Sequence, residues 1–217
     1  MKIYNSNGNR FLIGEKEIDV VKNCEKYQCD GYLKVYSHQM EVINADGSKA
    51  NLCVNGLHCF THYLYDLNPE YKIYALVIDN VVYKSEILNT NPFVSRITIR
   101  KPRINRNFVD VGNQHLVLID QDVDEASHLC ERFNCNINYV HVRNRKCIEV
   151  ITYERGVGFT KSCGSGNIAS FAYANENDLC DNEIIAVNQG GVCFLKMKNQ
   201  IEMTAMSSYE GDYENCG

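Results

Sequence analysis

Cys163-Gly164-Ser165-Gly166-Asn167-Ile168-Ala169-Ser170-Phe171-Ala172 is the stretch from which the rest of the chain can be read. A thiol opens it, two glycines follow around a serine, and then comes a run able to form a helix. Glycines just ahead of a helix bare its first backbone N–H groups, and a helix N-terminus carries about half a positive charge that suits an anion such as a carboxylate. Glu154-Arg155-Gly156 lies nine residues upstream of the thiol. Read alone, the stretch is equally a helix start beside a buried structural cysteine.

The same device occurs a second time. Asn51 to Phe60 reads N-L-C-V-N-G-L-H-C-F, with Cys53 ahead of Val54-Asn55-Gly56, and Asn44 stands nine residues before that cysteine. Cys24-Glu25-Lys26-Tyr27-Gln28-Cys29-Asp30 is matched by Cys130-Glu131-Arg132-Phe133-Asn134-Cys135-Asn136, and Gly8-Asn9-Arg10-Phe11 by Gly112-Asn113-Gln114-His115. The offsets run from 104 to 110 residues and keep their order. The chain therefore reads as two similar halves of ordinary domain size, 1–103 and 104–205, with the first half completed by the C-terminal segment 206–217.

Composition narrows the function. A net charge of −5 without a basic run argues against nucleic acid and anionic membranes as partners. The polar start of the chain lacks the apolar core of an export signal, and no apolar run is long enough to span a bilayer. A cytoplasmic protein with reduced thiols is expected, although 11 cysteines are many. Their spacing contains no C-x-x-C and no accompanying histidine pattern, so no metal is expected.

Hydrophobic alternation and turn residues predict strands at 2–4, 11–13, 32–36, 40–43, 71–78, 81–87 and 96–100 in the first half. Asp79-Asn80 is expected as a tight hairpin turn. Helices are predicted over 17–27, with Ile18, Val21 and Cys24 inward, and over 57–65. Lys101 to Phe108 is polar and basic and reads as a linker. The second half is expected to repeat the scheme, with strands at 116–119, 137–143, 147–153, 183–187, 192–197 and 200–205. Its helices are predicted over 124–133, with Ser127, Leu129 or Cys130, and Phe133 inward, and over 167–175. Each half is then α/β, a curled β-sheet or barrel around one central helix, with the two thiol-bearing helix starts meeting in the interdomain cleft.

Two thiols on opposite faces of an amino acid's α-carbon would invert it without a cofactor. One removes the α-proton as thiolate, and the other returns a proton as thiol. Cysteine suits both tasks because its pKa, about 8.5 when free, falls toward neutrality near a helix N-terminus. Two buried structural cysteines or a redox pair are the competing readings.

Asn44-Ala45-Asp46-Gly47-Ser48-Lys49-Ala50-Asn51-Leu52-Cys53-Val54-Asn55-Gly56 and Tyr153-Glu154-Arg155-Gly156-Val157-Gly158-Phe159-Thr160-Lys161-Ser162-Cys163-Gly164-Ser165-Gly166 resemble the two signature motifs of the diaminopimelate epimerase family. The resemblance extends from Gly8 to about Glu210. It implies two pseudo-symmetric domains and interconversion of LL- and meso-diaminopimelate without pyridoxal phosphate, in lysine and peptidoglycan-precursor biosynthesis. A homodimer is the expected assembly, and a small amino acid is the expected partner. Carried over by position, Cys53 and Cys163 are the acid–base pair, and His115 and Glu154 assist them. Val54, Asn55, Gly164 and Ser165 offer backbone N–H groups to the α-carboxylate. Asn9, Asn44, Asn113, Asn136, Glu154 and Arg155 match substrate-holding residues.

This chain departs from the family at Val54, where Gly is usual, and at Arg10, His58 and Phe159, where Asp, Arg and Glu are usual. Tyr27 to Gly31 also lacks the early glycines of the family's G-x-G-x-D-G segment. These differences leave open a racemase of another amino acid, such as histidine, and a catalytically inactive amino-acid-binding homologue.

Overall fold

The computed structural model describes residues 1–214 of the 217. Of the segment 206–217 expected to complete the first half, residues 215–217 lie outside the described residues. The chain divides into two units: Met1–Thr98 together with the chain from Thr204 onward, and Ile99–Met203.

In the first unit the elements are β1 (Lys2–Ser6), β2 (Asn9–Gly14), α1 (Val20–Tyr27), β3 (Gly31–Tyr36), β4 (Gln39–Asn44), β5 (Lys49–Ala50), α2 (Val54–Leu67), β6 (Ile73–Ile78), β7 (Val81–Thr90) and β8 (Phe93–Arg100). The second contains β9 (Arg103–Asn105), β10 (Phe108–Asp110), β11 (Gln114–Ile119), α3 (Ala126–Phe133), β12 (Asn136–Asn144), β13 (Cys147–Glu154), β14 (Gly158–Thr160), α4 (Gly164–Glu176), β15 (Glu183–Asn188), β16 (Gly191–Met197) and β17 (Gln200–Met206). The final strand, β18 (Ser208–Asp212), returns to the first unit and pairs antiparallel with β1.

The two units share one wiring. In the first, β1 and β2 form a hairpin, α1 crosses over to place β3 parallel to β2, β4 pairs antiparallel to β3, and α2 crosses over to set β6 parallel to β4. In the second, β10, β11, α3, β12, β13, α4 and β15 repeat these steps in the same order and sense. Hairpins β6–β7 and β15–β16 follow. The small strands β5 and β14 hang on β4 and β13 in corresponding places.

Each crossover fixes one layer. Helix α2 contacts β1, β2, β7 and β18, and α4 contacts β10, β11, β12, β13 and β16, so each sheet curls about its own helix. That explains why α2 and α4 are buried almost all round, while α1 and α3 are not. Cys24 and Cys29 cluster with Ile3, Leu12 and Tyr32, and Ala126, Cys130 and Cys135 cluster with Leu116, Ile137 and Tyr139.

The sequence-level expectations need four corrections. Val21 of α1 is exposed, and Asn23 joins Cys24 on the buried side, where its Nδ2 donates to the Asp19 carbonyl at 2.8 Å. On α3 Ser127 is exposed and Phe133 is 39% exposed, while Ala126 and Cys130 face inward. Lys101 to Phe108 is not a linker. Arg103 on β9 and Lys101 and Arg106 on either side of it are exposed, while Ile104 pairs with the fully buried Val109 of β10. Helices α2 and α4 both begin immediately after their cysteines, a turn earlier than apolar periodicity alone suggested. Asp79 and Asn80 do form the tight turn, both with positive φ as a type I′ hairpin requires. Among the described residues no helix is long and apolar enough to cross a membrane.

Candidate active site

Both cysteines cap a helix. Cys53 precedes α2 in extended conformation, and its sulfur accepts from the Gly56 N–H at 3.2 Å. Cys163 does the same before α4, accepting from the Gly166 N–H at 3.4 Å. The N-cap position normally takes Ser, Thr, Asp or Asn, whose oxygen satisfies an orphan N–H. A sulfur there sits at the positive end of the helix dipole, where negative charge is favoured. Cys163 is buried and Cys53 half-buried.

Around Cys163 the second unit gathers five of the expected residues. The Ser165 Oγ lies 3.4 Å from the Cys163 sulfur and 3.1 Å from His115 Nε2. Asn113 donates from Nδ2 to Ser165 Oγ at 3.3 Å, and its Oδ1 lies 3.1 Å from His115 Nε2. Asn136 Oδ1 accepts the Arg155 backbone N–H at 2.9 Å. The alternation of β12 brings Asn136 and Asn138 to one face, and the parallel register of β11 and β12 sets His115 opposite Asn136. Gly164 and Ser165 form the buried first turn of α4.

Two expected residues in this unit engage neighbouring turns. Glu154 Oε1 accepts from Thr160 Oγ1 at 2.7 Å across β13 and β14. The Arg155 guanidinium is exposed and donates to Asn134 Oδ1 at 3.0 Å, at the C-terminal end of α3. It lines a cavity of about 430 Å³ with Cys130, Glu131 and Tyr153.

In the first unit Asn55, on the opening turn of α2, donates to Asn9 Oδ1 at 2.6 Å. Val54 is buried, so its side chain packs inward while its backbone remains at the helix start. Asn44 engages its own turn, donating from Nδ2 to Ser48 Oγ at 3.0 Å.

The departures from the family pattern have local partners. Arg10 donates to Glu210 Oε2 at 2.7 Å and to the Tyr27 and Gln28 carbonyls at 2.7 and 2.9 Å, closing the C-terminal end of α1. Phe159 stacks edge-on against Tyr153 with ring centroids 5.1 Å apart. His58 is fully buried in α2, with Nδ1 2.8 Å from Ser95 Oγ.

Sequence reasoning missed Asn138 and Thr152. Both are buried, and Thr152 Oγ1 donates to Asn138 Oδ1 at 3.0 Å. The N-I-N alternation at 136–138 was the available signal: a second asparagine on the face already carrying a candidate.

Burial sets the charge of the two interior histidines. It pulls the His58 pKa down to about 3. It pulls His115 down to about 4. Both lie below the unfolded value of about 6.5. As pH falls below about 6.5 the unfolded chain takes up protons that the folded one refuses, so this stability is full above that pH and is lost toward pH 4. The loss is about 1.4 kcal/mol per pH unit for each histidine. The melting temperature is expected to fall over that range, and His58→Gln should make the fall shallower. A wild-type melting temperature that does not change between neutral pH and pH 4 would contradict this account.

Comparison with solved structures places the fold. A phenazine biosynthesis protein of the PhzF family from Bacillus anthracis gives a TM-score of 0.72 at 13% identity, with 96% of this chain and 95% of that chain covered. A hydroxyproline epimerase from Agrobacterium vitis, solved with trans-4-hydroxy-L-proline bound, gives 0.69 at 8% identity, with 97% and 90% covered. The architecture is thus shared with PhzF-like and proline-racemase-like proteins. In sequence the chain is a homologue of proteins named diaminopimelate epimerase. One from Clostridium perfringens is 28% identical over 242 residues, covering 94% of this chain and 86% of its own. One from Methanocaldococcus jannaschii is 25% identical over 224 residues, covering 76% and 73%. No family model matches the chain.

Proposed function

We propose that this protein is a cofactor-independent amino-acid epimerase that interconverts LL- and meso-diaminopimelate, with Cys53 and Cys163 as its two acid–base groups. The observation that carries the reading is the repeated helix cap. Each unit sets a thiol at the N-terminus of its central helix, with the sulfur accepting the N–H of the third residue on. One thiolate removes the α-proton from one epimer, and the thiol of the other unit delivers a proton to form its mirror configuration. The roles exchange for the reverse reaction. The positive helix ends favour the substrate carboxylate as its negative charge grows during proton removal. The names of the sequence relatives support diaminopimelate as substrate.

Incubation in deuterium oxide with a panel of amino acids, followed by mass spectrometry, tests this. Diaminopimelate is expected to gain an α-deuteron, and early product should be labelled before recovered substrate, because the base that takes the proton exchanges with solvent between turnovers. Labelling of histidine alone would replace the assignment with that of another amino-acid racemase. No labelling of any amino acid would leave an inactive binding homologue as the better reading.

A further inference from the structure

The hydrogen bonds that lead to Cys163 have a direction. The Leu116 carbonyl can only accept, and Asn138 Nδ2 donates to it at 3.2 Å. Thr152 Oγ1 donates to the other end of the same amide. The Asn138 amide is therefore held with its NH₂ toward His115, whose Nδ1 lies 3.0 Å away and must accept. Across the ring, Asn113 Oδ1 can only accept, and it lies 3.1 Å from His115 Nε2. A neutral imidazole has one proton, and both ends of this ring require it on Nε2. The Asn136 Nδ2, at 3.5 Å from Nε2, is too distant to compete. Ser165 Oγ shares that one Nε2–H with Asn113 Oδ1 and also accepts from Asn113 Nδ2, which leaves its own hydrogen for the Cys163 sulfur.

The other unit shows that packing does not require this chain. By strand register, Phe11, Leu33 and Val42 hold the places that His115, Asn138 and Thr152 hold here. All six residues are buried. A Cβ added at Gly56 would meet Leu33, and one at Gly166 would meet Asn138 and Thr152, so both sets lie beneath a corresponding helix turn. Burying polar groups where apolar ones serve the same fold costs stability, which calls for a role other than packing.

We propose that Asn138 is a positioning residue that fixes His115 as its Nε2–H tautomer, so that the Ser165 hydroxyl donates to Cys163 and favours the sulfur as thiolate. The effect on turnover rests on the epimerase reading above. The tautomer does not, and is read without any substrate.

Long-range proton–nitrogen correlation spectra of the ¹⁵N-histidine-labelled protein near neutral pH give the test, with His115 assigned by its loss in His115→Gln. The proton is expected on Nε2. A proton on Nδ1, or on both nitrogens, overturns the proposal. In Asn138→Asp the carboxylate can only accept, so the proton should move to Nδ1 or the ring should become doubly protonated. In Asn138→Leu, whose side chain the first unit already accommodates, only Asn113 Oδ1 still calls for the proton on Nε2, so part of the ring population should shift to the Nδ1–H form. Both variants should lower kcat at least about tenfold with a much smaller change in KM. Retention of the Nε2–H tautomer in both variants, or turnover equal to the unmodified enzyme, would show that Asn138 only packs. If no amino acid is turned over, the spectra still decide the tautomer, and only the epimerase reading is lost.

Discussion

Turnover by Cys163→Ser is expected to fall about 10²–10⁴-fold in both directions, while its melting temperature stays at or above that of the unmodified protein. Serine is among the best N-cap residues, so its oxygen can accept the Gly166 N–H that the sulfur accepts now. The fold therefore tolerates the change, and the chemistry does not, because a serine hydroxyl is a far weaker acid than a thiol. Cys53→Ser should behave alike, since Cys53 caps α2 through Gly56 in the same way. Initial rates from LL- and from meso-diaminopimelate, with thermal melts of the same samples, give the comparison. Normal inversion by either variant would remove that cysteine from the reaction. Loss of activity with a matching loss of stability would mean that the thiol is structural.

Gly166→Ala should be the more damaging change to the protein itself. A Cβ there would lie 2.5 Å from Asn138 Oδ1 and 2.8 Å from Thr152 Oγ1. Both oxygens belong to buried side chains joined to each other, so neither can retreat without leaving a polar group unsatisfied. Alanine would gain about 1 kcal/mol of helix propensity over glycine. Overpacking of a buried site costs about 1–3 kcal/mol, and a lost buried hydrogen bond adds a similar amount. Net destabilisation of about 1–5 kcal/mol is expected, together with loss of activity. Gly56→Ala should cost less, because its nearest contacts are 3.1 Å from the Cys53 sulfur and 3.3 Å from a Leu33 methyl. Chemical denaturation of the two variants side by side measures the difference. Equal stability of both would contradict the role given to the Asn138–Thr152 pair.

Much of this architecture was legible because it is written twice. Cys53 and Cys163, with their following glycines, located both helix starts to within a turn, and the C-x-x-x-x-C pairs lie at the ends of α1 and α3. There a left-handed residue, Gln28 or Asn134, turns the chain so that Cys29 and Cys135 fold back beside Cys24 and Cys130. Faces and short strands were harder. Val21 satisfied helical spacing, but Asn23 makes a backbone hydrogen bond that periodicity does not see. The β9–β10 hairpin was hidden by Arg103 and Arg106, which flank the Ile104 that actually pairs. In the site, residues that act by position in a motif were readable, whereas Asn138 and Thr152 meet only through the antiparallel register of β12 and β13. That contact is 14 residues apart in sequence and has no local signature.

The return of Ser208–Asp212 to β1 gives completion of the two units an order opposite to that of the chain. Every strand of the unit spanning Ile99–Met203 has been made before β18 exists. The unit that begins at Met1 must wait, with β1 bonded to β2 on one side and an open row of backbone donors and acceptors on the other. An unpaired edge of this kind is a template for association with other chains. A nascent or truncated chain that stops before Ser208 is therefore the aggregation-prone species, and the five residues of β18 protect a strand made some 200 residues earlier.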